Sequence, residues 1–118
     1  MSVVEAAWQE LLTSDRINHE LAEAVHAEPR LRRLFPWAGM WELHFSRCTE
    51  HPPTWDIPYI APLKGECFLV EGPSRSEVVG PAPTVETAEA MVVERLPLRC
   101  GPAFLGNRHE LAAYEANL

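Results

Sequence analysis

The chain has 118 residues, 47% of them hydrophobic, and carries a formal net charge of −7. That length supports one domain with a modest core, and so apolar a composition excludes general disorder. The acidic residues are spread along the chain and no basic tract interrupts them, which argues against nucleic acid or an anionic membrane as partner.

From the N-terminus, VVEAAWQELL (3–12) predicts a helix, with Val4, Ala7, Trp8 and Leu11 on one stripe. Ser14 or Asp15 is expected to cap a second helix, whose apolar line is Ile17, Leu21, Ala24 and Val25. Pro29 suits a first helical turn, so RLRRLF reads as a short third helix bringing Leu31, Leu34 and Phe35 together. Pro36 then biases Phe35 toward extended backbone.

The period changes at MWELHFSR. Strict alternation predicts a strand with Trp41, Leu43 and Phe45 facing the core and Glu42, His44 and Ser46 on the opposite face. Arg47 marks its end. HPPTWDIP reads as a rigid loop, and DIPYIAPL as an edge or irregular strand, because proline cannot donate to a ladder. KGECFLVEG contains a second good strand, and GPSRSEVVG a tight turn into a third. Thr84 caps a helix with Val85, Ala88, Val92 and Leu96 on one stripe, and Pro97 ends it. Asn107 with Glu110 resembles a capping box and opens a last helix carrying Leu111, Tyr114 and Leu118. The expected fold is therefore one α+β domain over residues 1–118. It has N-terminal helices, a short antiparallel sheet of three to four strands, and C-terminal helices.

Cys48, Cys67 and Cys100 are widely spaced and odd in number. With no CxxC and no apolar N-terminal export segment, they predict free thiols and a cytoplasmic location. No apolar run approaches the roughly 18 residues of a membrane span.

Candidate chemistry centres on residues 42–59. If the protein is an enzyme, Glu42 is placed to orient His44, which can move a proton at neutral pH, and Asp56 is the second candidate carboxylate. The plainer reading of Glu42, His44 and Ser46 is the polar face that any alternating strand needs. A Ser–His–acid triad is disfavoured, since strand neighbours two apart stand roughly 6–7 Å from each other. Cys48 with His51 is a low-specificity pair, and no CxxC or HExxH spacing supports a metal. No cofactor motif is present. In HPPTWDIPY, Trp55 and Tyr59 offer rigid aromatic surface with His51 and Asp56 as polar points, so Trp55, Tyr59, His51 and Arg47 are the candidate ligand-binding residues. Glu42, His44, Trp55, Asp56 and Tyr59 are expected to border one concavity. GPSRSE lacks the phosphate-loop pattern and reads as a hairpin turn.

The strings EPRLRRLFPW, ELHFSRCTE, TWDIPYI, GPSRSEVVG and VVERLP resemble a family of small actinobacterial proteins that constitute a domain of unknown function. Some of these are described as natural product biosynthesis proteins. The resemblance covers about residues 5–105 and transfers no catalytic residue. It implies a small accessory protein of a biosynthetic pathway, binding a pathway intermediate or a pathway enzyme. Two other readings stand beside it: a small cofactor-independent acid–base enzyme of the same pathway, and an inhibitor or immunity-type interaction protein whose acidic surface meets a basic partner.

Overall fold

A computed structural model describes residues 2–65, 67–98 and 100–118. Three helices come first: α1 (Val3–Thr13), α2 (His19–Ala27) and α3 (Pro29–Arg32). Each starts on a side chain that accepts otherwise unpaired amide protons. Ser2 caps α1, Asn18 caps α2 through Leu21 N–H at 2.9 Å, and Glu28 caps α3 ahead of Pro29. The cap of α2 is thus Asn18, not Ser14 or Asp15, and Ile17 reaches the core from just before the helix.

The sheet follows: β1 (Phe35–Gly39), β2 (Glu42–Ser46), β3 (Tyr59–Leu63), β4 (Cys67–Glu71) and β5 (Val78–Ala82), in the spatial order β1-β2-β3-β4-β5 and antiparallel throughout. Two helices close the chain, α4 (Val85–Val93) and α5 (Arg108–Ala116), capped by Thr84 and by the Asn107–Glu110 capping box. The α+β class stands, in an α–β–α order, but the expectation of three to four strands is corrected to five.

The strand missing from the sequence reading is FPWAG. Its proline and glycine disguise an edge strand, where Pro36 has no outer partner to serve. FPWAG and ELHFS form a hairpin in which Phe35 faces Ser46 and Trp37 faces His44. Its tip is Met40–Trp41, both with positive φ (54° and 65°). Trp41 therefore leaves the alternation and is exposed, against the expectation that it joins Leu43 and Phe45 in the core. Phe35 likewise belongs to β1 and not to the third helix. The segment YIAPL is not an edge strand: β3 lies between β2 and β4. Pro62 is tolerated there because the ladder with β2 is confined to Leu43 and Ile60.

One sheet face carries Leu43, Phe45, Ile60, Phe68, Val70 and Ala82, and α1, α2 and α4 cover it with Trp8, Leu11, Leu21, Val25, Val85, Ala88 and Val92. The Trp8 indole N–H donates to Leu34 O at 3.2 Å, so the buried ring keeps its one polar group satisfied. Burial at roughly 25 cal/mol per Å² of apolar area makes this layer the main source of stability. The other face of the sheet carries Phe35, Trp37, Glu42, His44, Ser46 and Tyr59, and all five residues of β2 are buried. That second dry face positions the candidate site.

Residues 103–108 run alongside the segment that follows β2. Phe104 N–H donates to Arg47 O (2.8 Å), Thr49 N–H to Phe104 O (3.0 Å) and Glu50 N–H to Gly106 O (2.8 Å). The loop after β2 is thereby held by backbone bonds to the C-terminal segment. Among the described residues no helix is long and apolar enough to cross a membrane.

Candidate functional site

A row of side chains crosses the second sheet face. Trp37 and His44 are cross-strand neighbours, and Tyr59 is the next residue across on β3. Their rings stack: Trp37 on His44 at 4.8 Å and 12°, His44 on Tyr59 at 4.5 Å and 24°. The Arg75 guanidinium, from the turn before β5, lies over the Tyr59 ring at 4.9 Å. Gly72 lets the backbone before this turn close on the same ring. Its φ is +92°, and a Cβ there would stand 2.8 Å from the Tyr59 ring.

Glu42 ties the row together. One carboxylate oxygen takes the His44 Nε2 proton at 3.0 Å, and the other accepts from Arg75 Nη1 at 2.7 Å. Burial would raise the Glu42 pKa, but the hydrogen bonds from Arg75 and His44, with the charge of Arg75, prevail and hold it below its ordinary range. His44 is also held low: burial disfavours the imidazolium more than Glu42 favours it. The pair is thus a carboxylate and a neutral imidazole, with Nε2–H donated and the lone pair on Nδ1. Burial, followed by the charge of Glu71, raises the Tyr59 phenol.

A cavity of about 370 Å³ opens beside this row. Its floor is Phe35, Trp37 and Ser46 on the sheet; its wall is the loop from Cys48 to Trp55, including His51 and Pro53. Ser46 organises the loop, because its Oγ accepts the N–H groups of Cys48 (3.1 Å) and Thr54 (3.2 Å) and stands 3.4 Å from the Cys48 sulfur. Trp55 has a positive φ of 53° and lies perpendicular to Trp37, with ring centroids 5.3 Å apart.

The whole of this arrangement falls inside the segment matched by one protein-family model, residues 2–107. The chain belongs to DUF6193, a family of unknown function. The DUF6193 segment takes in the sheet, the cavity and the Glu42–His44–Arg75 cluster, and stops where α5 begins. No curated protein and no solved structure matches the chain.

Within this DUF6193 domain, the residues expected to share one concavity divide in two. Glu42, His44 and Tyr59 form the stacked row, and Trp55 stands edge-on to it, 6.2 Å from His44. Trp55 and His51 line the cavity. Arg47 and Asp56 form a separate cluster. Arg47 Nη2 lies 2.6 Å from Asp56 Oδ2, and Nη1 donates to Glu115 of α5 at 3.0 Å. Ser46 is an organiser of the loop and Cys48 is buried beneath it. Among the described residues no group of three or more His, Cys, Asp or Glu side chains is placed to hold a metal ion.

Trp37, Phe35 and Arg75 are site residues outside the candidate set expected from the sequence. Reading FPWAG as the partner of ELHFS across a two-residue tip would have put Trp37 opposite His44. Arg75 had no such signal, since its partner Glu42 is 33 positions away.

Proposed function

We propose that this DUF6193 protein is a small-molecule-binding accessory protein, and that its ligand occupies the cavity between the Phe35–Trp37 strip and the Cys48–Trp55 loop. The cavity itself carries this reading: about 370 Å³ of space lined by the rings of Phe35, Trp37 and Trp55 and by Pro53, with Ser46, Thr49, Glu50 and His51 as its polar residues. Binding sites for small molecules have this size and this mixture. The walls are also braced in advance. Ser46 pins one side of the loop, and the C-terminal segment pins the other through Thr49 and Glu50. A preorganised site spends less binding energy on ordering itself. A biosynthetic pathway for natural products is the setting that the family resemblance implies. The free thiols of Cys48, Cys67 and Cys100 support the cytoplasm as its place.

The experiment is a ligand-observed NMR screen of small water-soluble fragments against the wild type and Trp55→Ala. Trp55 is 50% exposed, so its truncation spares the core. Fragments that bind the wild type should lose about tenfold or more in affinity for the variant. Hits that bind both proteins equally would contradict the proposal.

A second reading, a cofactor-independent acid–base enzyme, draws on the 3.0 Å contact between Glu42 and a neutral His44. Its difficulty is that both faces of the imidazole are covered, by Trp37 and by Tyr59. Only the ring edge remains for a substrate, which favours binding over turnover.

A further inference from the structure

We infer that the cavity selects a small organic cation, of the alkylated or quaternary ammonium class. This rests on the reading of the cavity as a small-molecule site and specifies its ligand. The first observation is the disposition of the rings. Trp37 gives its inner face to His44, at 4.8 Å and nearly parallel. Trp55 is perpendicular to both rings, with its centroid 5.3 Å from Trp37 and 6.2 Å from His44. A ring seated over the outer face of Trp37 would lie much farther from His44, near the sum of the two spacings from Trp37. Trp55 therefore stands alongside the stack, and the outer face of Trp37 is left uncovered by either ring. The planes of the two indoles stand at 89° to each other, and both residues line the cavity. Phe35, two residues along the same face of β1, supplies a further side.

Aromatic faces are negative at their centres, and a cation within about 6 Å of a ring centroid is attracted to each of them. The second observation is the charge of the lining. Glu50 contributes a carboxylate, and among the described residues no lysine or arginine lines the cavity. An anion would meet aromatic faces, a like charge and a chain of net charge −7. A cation meets three aromatic residues and an acidic one in the same lining, and a quaternary or alkylated cation gives up little hydration on entering.

The test uses three probes of nearly the same shape: choline, the neutral 3,3-dimethylbutan-1-ol, and the anionic 3,3-dimethylbutyrate. Each is titrated against the wild type and Glu50→Gln with intrinsic tryptophan fluorescence as the readout. Glu50 is exposed, so the isosteric change leaves the fold alone. Choline should bind about tenfold tighter than the alcohol, and the butyrate most weakly. Glu50→Gln should weaken choline by about 3- to 10-fold and leave the alcohol unchanged. Equal or tighter binding of the alcohol overturns the cation assignment while leaving a binding cavity. Failure of all three probes, where other fragments bind in a Trp55-dependent way, also overturns it. Failure of every probe and every fragment removes the binding function as well.

Discussion

His44 is an ionisable side chain enclosed in rings, and its environment sets the sign of its effect on stability. Burial first, with Arg75 adding to it, keeps the folded-state pKa below the ordinary 6.5, despite the opposing pull of Glu42. In the unfolded chain the same imidazole takes a proton as the pH falls through about 6.5. The unfolded state then binds more protons than the folded one, so the stabilisation is full above about pH 6.5 and is lost as the pH falls toward the folded-state value. Glu42, held below 4.5, adds a second loss at lower pH for the same reason of sign. His26 is also lowered, by burial and by Arg32, so it contributes in the same window as His44. The urea midpoint of the wild type should therefore drop between pH 7.5 and pH 5.5. His44→Gln should show a smaller drop, with the remainder left by His26. An equal drop in both proteins would mean that His44 titrates as it does in water.

The hairpin of β1 and β2 shows what local patterning could and could not reveal. The alternation in ELHFS disclosed β2 and its two faces, and Leu43 and Phe45 do enter the core. It could not disclose that the polar face is buried, because its cover comes from Trp37, Trp55 and Arg75, which are local to other elements. Caps were legible where one residue type decides them, as at Thr84 and Asn107. The α2 cap was misplaced because Ser14, Asp15 and Asn18 are all capable caps, and packing of Ile17 chose among them. Trp41 continues the alternation in sequence but lies one residue before the strand, in the turn, so it does not share the burial of Leu43 and Phe45. A two-residue tip with positive φ at both positions is best filled by Asn-Gly, and a methionine and a tryptophan there are each strained by about 1 kcal/mol. Replacing them together (Met40→Asn, Trp41→Gly) should raise stability by about 1–2 kcal/mol, measured by denaturant unfolding. A loss would show that the two exposed side chains make contacts that outweigh the strain.

Across the whole molecule, the sheet divides labour between its faces. One, under α1, α2 and α4, carries the apolar core. The other carries the stacked row, the Glu42 hydrogen bonds and the cavity. The class of the fold was readable from the order of helical and alternating segments. The fifth strand was not, because the proline and glycine of FPWAG disguise the partner of a local hairpin. The closing of the cavity was not, because it depends on pairings between distant segments, such as Gly106 with Thr49 and Glu50. The four tryptophans sample this division. Trp8 is buried in the core, Trp41 is exposed at the hairpin tip, and Trp37 and Trp55 border the cavity. Their indole N–H resonances, assigned by single substitutions in a ¹⁵N-labelled sample, can be followed as a fragment hit is added to saturation. The Trp37 and Trp55 signals should shift together while those of Trp8 and Trp41 stay in place. Shifts confined to Trp8 or Trp41 would contradict this, and would move the binding site to the other face or to the hairpin tip.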